Sequence, residues 1–573
     1  MIRQRRTDMT AALLCCAAVG ALAFFLTYGF RVLDPTNDGW ILSSYIETDI
    51  TQRYAGWIAY RQAESFFPLT ASELISFPYG DRASLTDGMP LFMVLFKLFD
   101  PILPETFQFC GILCLMNLML QGVTGGMLTA LYTNSRINVV LGGAVFCLSP
   151  IFLERIFRHT SLSFHWLILL AIWLYIKLHR GGSRRLLWAF VGICTASVWL
   201  HLYFTPMVIG FFVSAVVDCR LTGKGSIWHE VSLAAAVLLC IFSAWVLGLL
   251  GLGMDNTVGY GTMGLNLNAL FNPVSLGPDW WVPGKGRIDW SAFLPMRALA
   301  ENNIESFNYL GCGILLGLAC TAAAAVVGLL RKKKNMGTRA AFGILFRFIY
   351  RHLFLCVFLA FSTAFAISNT VCAFSYVLFS FPLPDKIQAL FSAFRASGRL
   401  FWSVNYVLVL AVIAAIHRFT GDKKRLACIL LASVLLIQVI DLFPVLRYKY
   451  SYTQEIQTKW SDAREAEVLE LIGDDTLLYN LELRDDRAMC AVLLKQGIAN
   501  NFWLINRGGY MVKELQQDID TTVQALLRGE KPYDDCVYTT RDGKLAEDIL
   551  QASPQLEYRQ IADIWYLYEH RAE

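Results

Sequence analysis

The chain is short of charge. Only 16% of its 573 residues are Asp, Glu, Lys or Arg, against roughly 25% in typical soluble domains. Mean hydropathy is +0.47. A water-soluble fold of this composition needs an implausibly large core, so the chain reads as a polytopic membrane protein. Other absences narrow the function. There is no basic, aromatic-interleaved stripe, which removes the usual footprint of a nucleic-acid partner. There is no Cys-x-x-Cys pair. Most of the fifteen cysteines, such as Cys15, Cys16, Cys240 and Cys428, lie inside apolar runs as small buried hydrophobes. Only Cys490 and Cys536 fall in the tail, where a disulfide is an open alternative. Internal repeats and low-complexity linkers are also missing.

What is present is a series of apolar segments. A spanning helix needs about 20 largely apolar residues. Eleven segments qualify, roughly 10–32, 105–133, 136–153, 162–179, 186–203, 204–218, 230–252, 310–330, 350–369, 399–417 and 426–443. Residues 89–99 form a further short apolar piece, re-entrant or interfacial. The first span follows Arg3, Arg5 and Arg6, and its apolar run continues past Ala21-Leu22-Ala23, so it reads as an uncleaved anchor. Lys and Arg clusters mark the cytoplasmic side. They fall at the N-terminus, at Arg180/Arg184/Arg185, at Arg220/Lys224, at Arg331–Lys334 and at Arg418/Lys423/Lys424/Arg425. Counting spans places all of them on one side. The loop 33–88, the turn 154–161, the loop 253–308 and the tail 444–573 fall on the other. The tail changes composition: Ser461–Gly473 and Lys513–Gly529 read as amphipathic helices, and Thr476–Leu483, Cys536–Thr540 and Ile564–Tyr568 as short strands. The expected architecture is an all-α polytopic membrane domain over 1–443 and a small extracytoplasmic mixed α/β domain over 444–573.

The first outer loop is acidic. It holds Asp34, Asp38, Glu47, Asp49, Glu64, Glu73, Asp81 and Asp87 against Arg53, Arg61 and Arg82. Within it, Ile46, Ile50, Tyr54, Trp57 and Ile58 recur at helical spacing. Such a helix beside a span lies along the membrane surface, with Asp49, Gln52, Arg53 and Gly56 on its other face. Two readings of Asp49 stand. It pairs with Arg53 at i,i+4, worth about 0.3–0.5 kcal/mol, or it faces a cavity in which Gly56 leaves room for substrate. Asp87, in Asp87-Gly88-Met89-Pro90, either caps the following short helix or serves the site. Asp34-Pro35 and Asp38-Gly39 are turn chemistry. The loop 253–308, with its glycines and with Trp280, Trp281 and Trp290, is either a lid or an ordinary long loop with interfacial tryptophans.

The pieces Asp49-Ile-Thr-Gln52-Arg-Tyr54-Ala-Gly56-Trp57, Phe67-Pro68-Leu69, Thr86-Asp87-Gly-Met-Pro90-Leu91, Arg158-His159-Thr-Ser-Leu162, His201-Leu-Tyr203-Phe204, Asn308-Tyr309-Leu310-Gly311 and Phe394-Arg395-Ala-Ser-Gly398-Arg399, taken in order, resemble the bacterial polytopic family catalogued as domain of unknown function 6311. That family resembles the GT-C superfamily of membrane glycosyltransferases, which use sugars carried on polyprenyl phosphate or pyrophosphate and an essential first-loop Asp. The resemblance implies a bacterial cytoplasmic membrane location, a cytoplasmic N-terminus and Asp49 in the place of that acid. It implies a polyprenyl-phosphate-linked sugar donor and a glycan, lipid or protein acceptor. One departure stands out. Where metal-dependent relatives carry paired acids in the next outer loop, this chain reads Glu154-Arg155-Ile-Phe-Arg158-His159-Thr160. Mg²⁺ and Mn²⁺ favour oxygen donors, and beyond Asp49 and Asp87 few are on offer, so no obligatory metal or other cofactor is expected.

These residues suit inverting transfer. Asp49 takes the acceptor's proton, with Asp87 placing the acceptor or an arginine and Gln52 contacting substrate. Arginine stays charged and binds phosphate bidentately, so Arg155, Arg158, His159, Arg395 and Arg399 are the candidates for the lipid phosphate, against the alternative that they anchor at headgroups. Small residues between Arg395 and Arg399 admit a phosphate. His165 and His201 read as structural. Two rival classes remain: a transporter or flippase of a lipid-linked glycan, which would place paired charges near the midplane, and a noncatalytic scaffold.

Overall fold

The computed structural model describes residues 2–43, 48–65, 67–250, 259–275, 289–301, 303, 305–336, 338–456, 463–502, 504 and 512–569. Among these, eight helices are long and apolar enough to cross a membrane: Met9–Thr27, Cys110–Thr129, Thr160–His179, Phe204–Leu221, Ile227–Val246, Cys312–Arg331, Ser397–Thr420 and Lys424–Ile456. A ninth arises if Arg136–Cys147 and Pro150–Arg158, bent by 53° at their junction, form one span. The break follows from Pro150, which has no N–H to give to the preceding turn. Two of the eleven expected segments give shorter helices, Arg184–Leu200 with 17 residues and Leu353–Ile367 with 15. The helix from Lys424 runs on through Pro444 to Ile456, past the expected end of the span at 443.

Two compact units result. The first comprises Met1–Leu33, Phe109–Ser243 and Val258–Gln454; the second comprises Asp34–Gln108, Ala244–Thr257 and Glu455–Glu573. In the first, helices approach closely through small residues, as lipid-solvated helices must when no hydrophobic drive separates them from acyl chains. A Cβ on Gly20 would fall 2.2 Å from the Leu118 carbonyl oxygen. Cys16 is fully buried there, its thiol 3.7 Å from the Val139 carbonyl. Two acids inside this unit, Asp441 and Asp218, serve helix starts. Asp441 accepts from the Tyr309 hydroxyl at 2.6 Å and the Cys312 N–H at 2.8 Å. Asp218 accepts from Tyr175 Oη and from the N–H groups of Phe354 and Leu355. Donors at a helix N-terminus are otherwise orphaned, so both carboxylates meet a need of the backbone.

Among the described residues, nine strands form three sheets: β1 (Ala71–Ser72), β2 (Asp81–Arg82), β3 (Thr370–Ala373), β4 (Tyr376–Ser380), β5 (Leu477–Asn480), β6 (Ala499–Asn500), β7 (Cys536–Thr540), β8 (Leu556–Ile561) and β9 (Ile564–Glu569). The tail strands lie in the order β6-β5-β7-β9-β8. β5 runs parallel to β6 and β7, while β9 is antiparallel to β7 and β8. Helices Ala463–Ile472, Arg487–Lys495, Val512–Leu526 and Gly543–Ala552 accompany them. The core under the sheet includes Leu477, Tyr479, Ile519, Leu526, Tyr538, Ile549 and Leu567. Cys536 belongs to this core and Cys490 is buried in the helix Arg487–Lys495; both are free thiols, so the disulfide alternative falls away.

Candidate functional site

The sequence-predicted residues fall into two clusters, one in each unit. The first is built on the first-loop helix, Thr48–Gln62. Asp49 sits in its first turn, where the helix dipole favours a negative charge. Ile46 lies outside the described residues. The helix is not a surface helix with one wet face: residues 51–60 are buried on every side. The tail helix Arg487–Lys495, absent from the sequence expectation, packs along it.

Asp49 does not pair with Arg53. Its Oδ1 lies 3.0 Å from Nη1 of Arg487, at the start of that tail helix. Arg487 also grips Asp485 through Nε at 2.8 Å and Nη2 at 3.1 Å. Burial opposes the Arg487 charge, but Asp485 and then Asp49 outweigh it and leave its pKa raised. At the other end of the tail helix, Lys495 Nζ meets Asp38 Oδ2 at 2.9 Å, and Tyr54 Oη donates to the same oxygen at 2.8 Å. Asp38 is therefore an anchor rather than a plain turn residue. Asp34 accepts from the N–H and hydroxyl of Thr36.

Arg53 turns instead to Asp87. Its Nε donates to the Asp87 carbonyl at 3.2 Å and its Nη2 to Oδ2 at 3.4 Å. Asp87 holds φ +59°, and the N-terminal flank of the next helix, Pro90–Lys97, is Met89 with no side-chain cap. The capping reading of Asp87 is thus replaced by an arginine clamp. Gly56 leaves room for protein, not substrate: a Cβ there would fall 1.9 Å from Thr86 Oγ1.

Gln52, one turn beyond Asp49, is 0% exposed. Neither its amide oxygen nor its amide nitrogen has a hydrogen-bond partner among the described residues. Leaving a buried amide unmade costs about 1–3 kcal/mol for each group, so this side chain is held at a loss.

The second cluster surrounds a residue that sequence reasoning passed over, Glu305. The expected turn at 154–161 is largely a helix, Pro150–Arg158. Its i,i+4 spacing brings Glu154 and Arg158 together at 2.5 Å, and Arg155 Nε lies 2.7 Å from the same Glu154. Glu305 then receives Arg155 Nη2 at 2.6 Å, Arg399 Nη2 at 3.1 Å, His159 Nε2 at 3.7 Å and Arg158 Nη2 at 4.0 Å. Burial alone would raise the Glu305 pKa, yet Arg155 and Arg399, then His159 and Arg158, hold it well below the usual carboxylate range. Arg155 is 1% exposed and its Nη1 has no hydrogen-bond partner among the described residues. Among the described residues, Arg155, Arg158 and Arg399 thus share the two carboxylates of Glu154 and Glu305.

The small residues before Arg399 have a use other than the one expected. A Cβ on Gly398 would fall 2.8 Å from the Glu305 carbonyl oxygen, so Gly398 admits the Glu305 backbone. Arg399 lies over the Tyr203 ring at 4.7 Å, in the turn Ser397–Phe401; Arg395 is half-buried just before it. The described parts of the loop 253–308 are pinned: Leu265 N–H bonds Ala366 O, and Asn266 bonds Phe374 O and Asn303. Trp290 is buried against Phe307 and Phe157; Trp280 and Trp281 lie outside the described residues. Glu305 carried no sequence signal because its partners come from two distant segments, 155–159 and Arg399. His165 is buried with Nδ1 2.7 Å from Tyr406 Oη. Among the described residues, no three His, Cys, Asp or Glu side chains gather as a metal-ligand set.

Among solved structures, the chain is similar to an oligosaccharyltransferase of Archaeoglobus fulgidus in its apo form, with 10% identity, TM-score 0.41, and coverage of 96% of this chain and 71% of the other. It is similar also to that enzyme tethered to an acceptor peptide containing the NVT sequon, with 10% identity, TM-score 0.41, and coverage of 98% and 74%. No curated protein matches the chain. Over residues 17–443, which hold Asp49 and the Glu305 cluster but not Arg487, it matches the family described as a domain of unknown function (DUF6311), and the chain belongs to that family.

Proposed function

We propose that the chain is an inverting membrane glycosyltransferase that moves a sugar from a polyprenyl-phosphate-linked donor to an acceptor on the outer face of the membrane. The observation that carries this reading is Gln52: a wholly buried amide, one turn from Asp49, with neither polar atom partnered. A substrate hydroxyl both donates and accepts, and would satisfy both atoms. Asp49, ion-paired with Arg487, takes the proton of the acceptor hydroxyl as that oxygen attacks the anomeric carbon. The bond from the sugar to the lipid phosphate breaks, and the phosphate leaves with the electron pair. A general base of this kind contributes about 10²–10⁴-fold. Arg155, whose Nη1 has no hydrogen-bond partner among the described residues, suits a phosphate. No step is routed through a metal.

Membrane vesicles carrying the chain, supplied with a radiolabelled pool of polyprenyl-linked sugars, test this. Label moves from the lipid phase to an acceptor with the wild-type chain and stays on lipid with Asp49→Asn. Undiminished transfer by Asp49→Asn overturns the reading.

A further inference from the structure

The loop after β5 of the tail holds a buried arginine, Arg484, in a different setting from those above. The loop after β5 reads Leu481-Glu-Leu-Arg484-Asp485-Asp486-Arg487. Each of its acids is already engaged. Glu482 Oε1 accepts from the Arg541 N–H at 3.3 Å. Asp485 is held by Arg487. Asp486 caps the tail helix by accepting from the Met489 N–H. Arg487 has taken Asp49 as well. Arg484 alone is left without a carboxylate within ion-pair distance among the described residues.

Yet Arg484 is only 7% exposed. Its contacts are one hydrogen bond from Nη1 to Asn480 Oδ1 at 3.3 Å and the Phe502 ring at 5.6 Å. Asn480 cannot do more for it, because the same oxygen also accepts from Thr539 Oγ1 at 2.8 Å. A guanidinium carries five donors, and burying one without a counter-ion costs several kcal/mol. A fold keeps such a group where something outside the chain completes it.

The place in the sheet is the second observation. β6 and β7 flank β5 on opposite sides and run parallel to it. The chain therefore reverses its direction of winding at β5, and open α/β sheets bind ligands at the carboxyl ends of the strands at such a switch point. Asn480 ends β5 and Thr540 ends β7. Arg541 follows immediately, exposed, with Nε 3.1 Å from Asp563. Two arginines thus stand at the carboxyl ends of neighbouring parallel strands.

We propose that the crevice at the carboxyl ends of β5 and β7 is an oxyanion-binding site, with Arg484 as its buried floor, Arg541 at its rim, and a phosphate or carboxylate group as its ligand. The site belongs to the tail and stands apart from the glycosyl-transfer reading; it is tested without a sugar donor.

The test is hydrogen exchange read by mass spectrometry on the full chain in lipid nanodiscs, with inorganic phosphate or acetate titrated against chloride at constant ionic strength. Phosphate at ten times its dissociation constant slows exchange about tenfold in peptides spanning 480–487 and 539–542. Slowing by acetate instead assigns a carboxylate ligand to the same site. Arg484→Gln abolishes the slowing and Arg484→Lys weakens it. Should Arg484→Gln fail to fold, Arg541→Gln, at an exposed position, weakens the same protection. The proposal is overturned if neither anion slows these peptides in the wild-type chain, or if the slowing is undiminished in the Arg484→Gln or Arg541→Gln chains.

Discussion

Glu305→Gln is the most demanding substitution the structure suggests. Glu305 is 8% exposed and meets Arg155, Arg399, His159 and Arg158. The amide keeps the shape and removes the charge. Arg155 and Arg158 keep Glu154, but Arg399 loses the carboxylate that lies 3.1 Å from its Nη2. Breaking a buried ion pair by removing one partner costs about 3–5 kcal/mol. In a unit of several hundred residues that lowers Tm by roughly 5 °C. Removing a cation at the same time returns the charge balance, so Glu305→Gln with Arg399→Gln is less destabilised than the two single changes summed, by about 1–3 kcal/mol. The pH dependence follows from the depressed Glu305 pKa. A carboxylate held lower in the folded state contributes stability that is present in full above its unfolded pKa, near 4.3. That contribution is lost only as pH falls through the folded value. The destabilisation is therefore constant between about pH 6 and 8 and shrinks in acid. The assay is thermal unfolding of the four proteins in one detergent, followed by tryptophan fluorescence. Additive losses, or a single substitution that leaves Tm unchanged, would refute the reasoning.

Two further outcomes are expected. Asp81 is buried in the first loop, its Oδ2 has no partner among the described residues, and burial pushes its pKa up to about 6. Folding then favours the protonated acid, so stability falls as pH rises from about 4 to 6 and levels off above; Asp81→Asn removes most of that fall, up to about 3 kcal/mol, in denaturant titrations across that range. Arg487→Met removes the cation 3.0 Å from Asp49, so the transfer rate drops with the substrate KM little changed, whereas Arg487→Lys restores most of the rate; an undiminished rate in Arg487→Met, or no rescue by Arg487→Lys, argues against Arg487 as a positioning residue.

Some of this was legible in the residues. Low charge, long apolar runs and clustered basic loops announce a multi-pass chain, because lipid tolerates only helices that satisfy their own backbone. The helical period around Ile50, Tyr54 and Trp57 places Asp49 and Gln52 on one helix. Other features were hidden for physical reasons. The partner of Asp49 is 438 positions away, so the local choice, Arg53, took its place on paper. Arg53 goes to Asp87 because Asp87 adopts a left-handed conformation, φ +59°, that no helical pattern announces. Gly56 and Gly398 read as space for a ligand, yet each is filled by protein, Thr86 and the Glu305 carbonyl respectively. The strand β8 escaped notice because its four central residues are all exposed, which erases the alternation that marks a strand.

The central claim is that Asp49 and Gln52 act on a sugar acceptor, and surface glycans test it most directly. Mass spectrometry would compare a strain lacking the chain with the same strain restored by wild type, by Asp49→Asn and by Gln52→Leu, at matched membrane abundance. Wild type restores a glycan mass absent from the deleted strain; Asp49→Asn and Gln52→Leu do not, although both proteins reach the membrane folded. Full restoration by Asp49→Asn would contradict the account, and would move the chain from catalysis to transport or scaffolding of the same glycan.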